Sequence, residues 1–262
     1  MMRYVQLFLT FMRLGIANEL TYRTNFFVQI VQSLLELGTV LTGLAIIFAH
    51  TRALGHWQPA ELLVLLGVYF LVGGAINVML QPSMQHLMED IQLGTLDFTL
   101  IKPEDAQVLV SISRVSIWEL ADMILGLIVL SVALPHLGTA INVGQVVAFV
   151  VTLVAGGIIL YSFWLMLATC AFWFVRVESM LAIFQNMYQA GRWPISIYPS
   201  WLRWLLTVLI PVGLVTTIPT EALVGRLSWE MVVGIVGLGV GMLVVSRMFW
   251  RVGVRYYTGA SA

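Results

Sequence analysis

From residue 123 to residue 175 the chain carries no Asp, Glu, Lys or Arg. No other feature narrows the possible folds so far. An apolar run of about 18 residues already meets the criterion for a membrane span, and one span takes roughly 20. The uncharged stretch is therefore long enough for two helices and a turn. Backbone N–H and C=O groups find no water in lipid, so a spanning segment must satisfy them internally, as a helix does. Composition extends the argument to the whole chain. Here 60% of residues are apolar and 10% charged, where a soluble domain has about a quarter charged. The expected fold class is all-α, a polytopic membrane protein with one membrane domain over residues 1–262. The formal net charge is zero, which leaves no basic footprint for nucleic acid. The single cysteine, Cys170, has no intrachain disulfide partner.

Uncharged runs and their flanks place six transmembrane helices at about 25–49, 61–80, 117–134, 143–175, 180–197 and 229–250. The stretch 200–225 does not read as a seventh. Pro211 divides its uncharged residues and Pro219 closes them, and proline removes a backbone donor while clashing with the preceding turn. An outer re-entrant hairpin of two half-helices fits better, since non-helical backbone at membrane depth needs cover from protein or water. At the front, Arg3 precedes the apolar 4–12, Arg13 interrupts it, and no Ala-x-Ala cleavage pattern follows. Residues 1–24 are expected as a retained amphipathic helix at the membrane interface. With the N-terminus inside, Arg3, Arg13, Arg23, Lys102, Arg114, Arg176, Arg247, Arg251 and Arg255 are cytoplasmic. Arg52, Arg192, Arg203 and Arg226 then face out. The excess of cations inside favours this orientation, with both termini and the segment 81–106 in the cytoplasm.

That segment holds a polar island. Glu89, Asp90, Asp97, Glu104 and Asp105 all fall within EDIQLGTLDFTLIKPED. Residues 84–92 predict a short helix with Met84, Leu87, Met88 and Ile91 on one face. Gln85, Glu89, Asp90 and Gln92 lie largely on the others, and Gly94 stops it. Such a helix docks its apolar side chains into a groove on another protein, or it lies among lipid headgroups. Its two acidic residues count against the second option, because inner-leaflet lipids are anionic. Lys102 is the only lysine and Pro103 follows it, so the Gly-Lys-Ser/Thr of a P-loop is absent. The histidines His50, His56, His86 and His136 are scattered, with no His-x-x-Glu-His or paired-carboxylate spacing. No catalytic residue and no metal ligand set is legible. His50 and His56 near Glu61 read as loop histidines rather than a metal pair.

Glu36 is the only charge in the first expected span, and intramembrane carboxylates are functional candidates by default. Gln29 and Gln32 recur with it at helical spacing, which marks a face toward protein, water or a translocation path. No Lys or Arg within a span is an evident partner. Glu36 is then either a functional group or a protonated or water-solvated one at a subunit interface. Arg114, Glu119 and Asp122 mark the start of the third span and read as a boundary ion pair, with direct transport work as the other option. Gly237-x-x-x-Gly241, Gly73-Gly74 and Gly156-Gly157 permit close helix approach. Trp193, Tyr198, Trp201 and Trp204 crowd the outer side, where amphipathic rings favour the interface.

Two motifs carry a family resemblance. Gly94-Thr95-Leu96-Asp97-Phe98-Thr99-Leu100-Ile101-Lys102-Pro103 resembles the Gly-x-Leu-Asp-x-x-Leu-x-Lys/Arg-Pro signature of bacterial ABC exporter permeases of the ABC-2 class. Tyr198-Pro199, Ile210-Pro211 and Ile218-Pro219 resemble the same group's pattern after the fifth span. The resemblance covers essentially the whole chain. It implies a multi-pass permease of the bacterial cytoplasmic membrane that pairs with itself or a sister permease and sits on two ATPase subunits. ATP and magnesium would be held by those subunits, with no cofactor in this chain. The resemblance also makes 84–91 the ATPase-coupling helix, within a coupling segment that includes Glu89, Asp90, Gly94, Asp97 and Lys102. It makes 3–20 the connecting helix. Exported substrates of the class are drugs, lipids, glycans or peptides, moved by alternating access. The main rival is a proton-coupled secondary transporter using Glu36, which would more often show inverted repeats; a membrane enzyme and a scaffold stand behind it.

Overall fold

The computed structural model describes residues 23–138, 141–174 and 178–257, which form helices joined by short turns. The expected leading helix over 3–20 lies outside the described residues, as does Arg176. Five helices are long and apolar enough to cross a membrane: Phe27–His50, Pro59–Leu93, Leu120–Leu137, Val143–Phe172 and Trp229–Arg255. The chain is an all-α polytopic membrane protein. The first helix of the described residues, α1, is Arg23–His50.

The second crossing is longer than expected. Instead of ending before Gln81-Pro82, it runs on as α2 (Pro59–Ala75), a π-helical segment (Ile76–Leu80) and α3 (Gln81–Leu93). Pro82 has no N–H to return to Val78, four residues earlier, as an α-helix requires. The π segment absorbs the misfit, and the Val78 carbonyl accepts the Ser116 N–H at 2.8 Å. Both ends of the crossing are set locally. Gln58 is extended, Pro59 opens the first turn, and the Glu61 carboxylate accepts the Gln58 N–H at 2.8 Å. Gly94 closes α3 with φ +71°, a left-handed conformation that glycine adopts without a Cβ penalty. Short helices α4 (Asp97–Leu100) and α5 (Ala106–Ser111) follow.

The third crossing begins later than expected, at α6 (Leu120–Ala133), and α7 (Val143–Thr169) is capped by Asn142 and Gln145 in a reciprocal box. The expected fifth span over 180–197 is an eleven-residue helix, α8 (Glu178–Tyr188), continued by 3₁₀ turns at Gln189–Arg192 and Ile195–Ile197. Pro194 lies between the two turns. Next comes a pair of helices bent by 95°. Its first arm is α9 (Ser200–Trp204) with a π turn to Leu209, and its second is α10 (Val212–Val224). Ile210, pushed to extended backbone by the following Pro211, forms the corner. Pro219 does not close the second arm, which runs through it to Val224. Ser196, just before the pair, is bonded to Trp57, and Arg226, just after it, to the His56 carbonyl. The pair thus enters and leaves at one end of the bundle. The last helix of the described residues is α11 (Trp229–Arg255).

The second crossing is the hub. In its most apolar stretch 61% of residues are buried, against 17% in the first and third crossings and 22% in the last. Its neighbours are α6 and α10, while α7 packs on α10 and α11. Lipid tails are as apolar as the side chains, so close van der Waals fit must supply the association. Glycine provides it between α2 and α6. A Cβ on Gly126 falls 2.5 Å from the Leu71 nitrogen and 2.7 Å from the Gly67 oxygen, and one on Gly74 falls 2.7 Å from the Met123 nitrogen. Within this chain the expected Gly237/Gly241 pair makes no such contact, and nothing among the described residues lies within 4 Å of either position. Gly239, between them, packs on the Ala155 carbonyl instead.

Gly126→Ala should therefore destabilise the bundle by about 1–3 kcal/mol through overpacking, whereas Gly157→Ala, with open space around it, should be nearly neutral. Thermal melts of the two variants in detergent check this, and equal melting temperatures would refute the close α2–α6 approach.

Candidate functional site

Within the bundle, polar side chains from α1, α2, the π segment, α6 and the 3₁₀ turn after α8 meet along one seam. On α1 they recur at helical spacing as Gln29, Ser33 and Glu36. Gln29 Nε2 donates to Glu119 at 2.8 Å, and Asn77 Nδ2 approaches the same oxygen at 3.4 Å. The Ser33 hydroxyl donates to Asp122. Arg192 Nη2 donates to Glu36 at 2.5 Å, and Tyr69 Oη lies 3.3 Å from both Arg192 Nε and Glu36. Tyr69 is itself fixed by the Tyr188 ring stacked on it at 4.9 Å, whose hydroxyl donates to the Tyr69 carbonyl at 2.8 Å. The seam borders a cavity of about 290 Å³ that Glu36, Tyr69, Asn77, Asp122, Gln185 and Arg192 help to line.

Three expectations change here. Glu36 does have a cationic partner, Arg192, whose guanidinium points into the bundle. Gln32 is exposed on α1 and stays out of the seam, and Ser33 takes the inward position. The boundary ion pair does not form among the described residues. Arg114 is exposed in the loop before α6, while Glu119 and Asp122 turn toward α1. The helix begins only at Leu120, so counting helical turns from Arg114 has no structural basis.

At the bundle end that carries Lys102, the expected coupling helix is also reoriented. Met84 and Met88 are fully buried and Leu87 is 1% exposed, all within this chain's own core, with Ile91 packed against it. They are not free to dock on a partner. An amphipathic helix continuous with a buried span keeps its apolar face under the bundle. Asp90 caps the following turn, its carbonyl accepting from Thr95 and Leu96 and its carboxylate from the Thr95 hydroxyl at 2.7 Å. Glu89 and Lys102 are solvent-facing, and Asp97 begins α4. Within the segment 81–106 the large apolar side chains that do project are Leu93, Phe98 and Ile101, at 72%, 73% and 80% exposure.

Behind them the loop is tied to two long helices. Asp105 caps α5, accepting the Gln107 N–H at 3.0 Å. Its carboxylate takes both Nη atoms of Arg247 on α11, and Arg247 Nη1 also reaches Gln107 Oε1 at 2.6 Å. Gln107 Nε2 donates to Tyr161 Oη of α7 at 3.0 Å, and Ser111 joins the same hydroxyl at 2.9 Å. The Arg247 hydrogen bonds hold the Asp105 carboxyl below its ordinary value of 3.8, outweighing the opposing effect of burial.

The opposite end is latched by Trp57, which is fully buried. Its indole N–H donates to Ser196 at 3.1 Å, and the Arg226 guanidinium lies 5.4 Å from its ring. Arg226 also donates to Glu61 at 2.6 Å. Of the expected interfacial aromatics, Trp201 and Trp204 face outward, whereas Trp193 packs on the core and Tyr198 bonds the Ala190 carbonyl. No group of three metal-ligating side chains is formed among the described residues.

The family model described as ABC-2 family transporter protein matches residues 34–261. The chain belongs to the ABC-2 transporter family. Neither the curated proteins nor the solved structures yield a match. As an ABC-2 protein it is the membrane component of an ABC transporter, a class that works with ABC ATPase components.

The Asp105 clamp gives this ABC-2 protein a defined acid response. A depressed carboxyl contributes stability above its unfolded pKa and loses it as pH falls through the folded one. Asp105→Asn should melt below the parent near neutral pH. The gap should narrow as pH drops below the ordinary 3.8. A gap that does not change with pH, measured by thermal melts across that range, would remove the Arg247 contact as its source.

Proposed function

We propose that this ABC-2 protein is the permease subunit of an ATP-driven exporter in a bacterial cytoplasmic membrane, two copies or sister permeases resting on two ATPase subunits. One observation carries the coupling part of the reading. Leu93, Phe98 and Ile101 project from the Lys102 end of a bundle whose own core is already closed beneath them. Solvated loops seldom hold three such side chains close together, and a partner's groove would cover them. Lys102, Arg247, Arg251 and Arg255 cluster at this end, which favours the cytoplasmic side for it and for both termini.

The docking surface in this reading is the loop around α4, with 84–91 as its buried support. ATP and magnesium are held by the ATPases. Their closure on ATP shifts the permease because the closed state binds ATP more tightly. A push on α4 reaches α3 directly and reaches α11 and α7 through Asp105, Arg247, Gln107 and Tyr161. Opening at the far end then requires the Trp57–Arg226–Glu61 latch to give way. The cargo class on this reading is amphiphilic: a lipid, drug, glycan or peptide. Proton-coupled transport through Glu36 is the weaker reading, because Arg192 already occupies that carboxylate.

Phe98→Asp with Ile101→Asp should strip the ATPase from the purified transporter while leaving the permease folded. Loss of an interface hot spot costs about 2 kcal/mol or more, a weakening of about 30-fold. Co-purification and nucleotide-driven transport are the readouts. An ATPase that stays bound at parental affinity would refute docking at α4.

A further inference from the structure

The cavity beside α2 has an unbalanced charge. Glu36 and Arg192 cancel each other at 2.5 Å. Asp122, on its wall, is bonded to the Ser33 hydroxyl and has no cation beside it among the described residues. A carboxylate within a span is costly unless a partner offsets it, and here the offset is incomplete while open space adjoins it. The rest of the wall suits an organic body. Phe70, Ile76 and Phe184 contribute apolar surface to it, while the Tyr69 ring is already flanked by Tyr188 and the Arg192 guanidinium. Asn77, on the π segment, lines the space while its amide approaches Glu119, and π turns inside α-helices concentrate at functional sites. The volume, about 290 Å³, lies at the small end of ligand sites, which start near roughly 300 Å³.

We propose that this cavity binds a compact organic cation, a protonated amine or quaternary ammonium, with its charge at Asp122 and its body against the apolar wall of Phe70, Ile76 and Phe184. The inference deepens the permease reading, on which its role as a transported cargo rests, although binding itself does not require the ATPase. Ser33 fixes one oxygen of the Asp122 carboxylate on the cavity wall, and the Glu36–Arg192 pair contributes no net charge.

The test uses the full chain in lipid nanodiscs, with empty discs subtracted. The probe is benzyltrimethylammonium, compared with its uncharged carbon isostere, neopentylbenzene. The cation should bind at least about tenfold more tightly than the isostere. Asp122→Asn should abolish that preference, and Asp122→Glu should keep most of it. Equal binding of the two probes by the parent chain overturns the proposal, even if Asp122→Asn fails to fold. So does a cation preference that survives in folded Asp122→Asn. ATPase assembly measured on the same preparations separates the two readings. Assembly without cation preference overturns this inference alone, and cation preference without assembly overturns the permease reading alone.

Discussion

The backbones of α2 and α6 touch, and much of the molecule depends on that contact. Without side chains at Gly67, Gly74 and Gly126 the two helices reach a separation at which an added Cβ meets main-chain atoms. Lipid supplies no hydrophobic drive between helices, so this fit has to be close to hold at all. It fixes where α6 stands, and hence where Glu119 and Asp122 point. From there they face Gln29 and Ser33 on α1. The polar seam exists because a steric fit a few residues further along the helix places its carboxylates on the inner side.

Much of the architecture was legible in the sequence, for a physical reason. Charge is so costly in hydrocarbon that uncharged runs mark the crossings, as they do for α6, α7 and α11. Pro211 announces a break because proline forces its predecessor extended, and Ile210 obeys. Prolines were less reliable as helix ends. Pro82 and Pro219 both lie inside continuing helices, and at Pro82 a π turn and the Ser116 N–H absorb the misfit. The length of α8 was also misjudged, because apolar composition does not tell an α turn from a 3₁₀ turn.

The candidate site was less legible. Glu36 stood out as an isolated charge, but its partner Arg192 lies 156 positions away, beyond any spacing rule. Gln32 and Ser33 are adjacent in sequence, and the angle around α1 turns Ser33 inward and Gln32 out. The helix over 84–91 was found with its apolar face correctly identified, yet that face was given to a partner and belongs to the core. Periodicity shows that a face is apolar and is silent about what covers it. Phe98 and Ile101, in a loop with no period, gave no such signal, and only their exposure distinguishes them.

The unbroken second crossing has a mechanical consequence. A helix of 35 residues is about 50 Å long, while the hydrocarbon layer is about 30 Å thick. Some of its length must therefore stand clear of the bilayer as a rigid arm ending at Gly94. The π segment is its one irregular joint, and Ser116 braces that joint from the side. Displacement at the tip is then felt as tilt at membrane depth, next to Asn77 and Tyr69. The cavity sits beside the fulcrum of a lever, where small rotations of the arm change its shape.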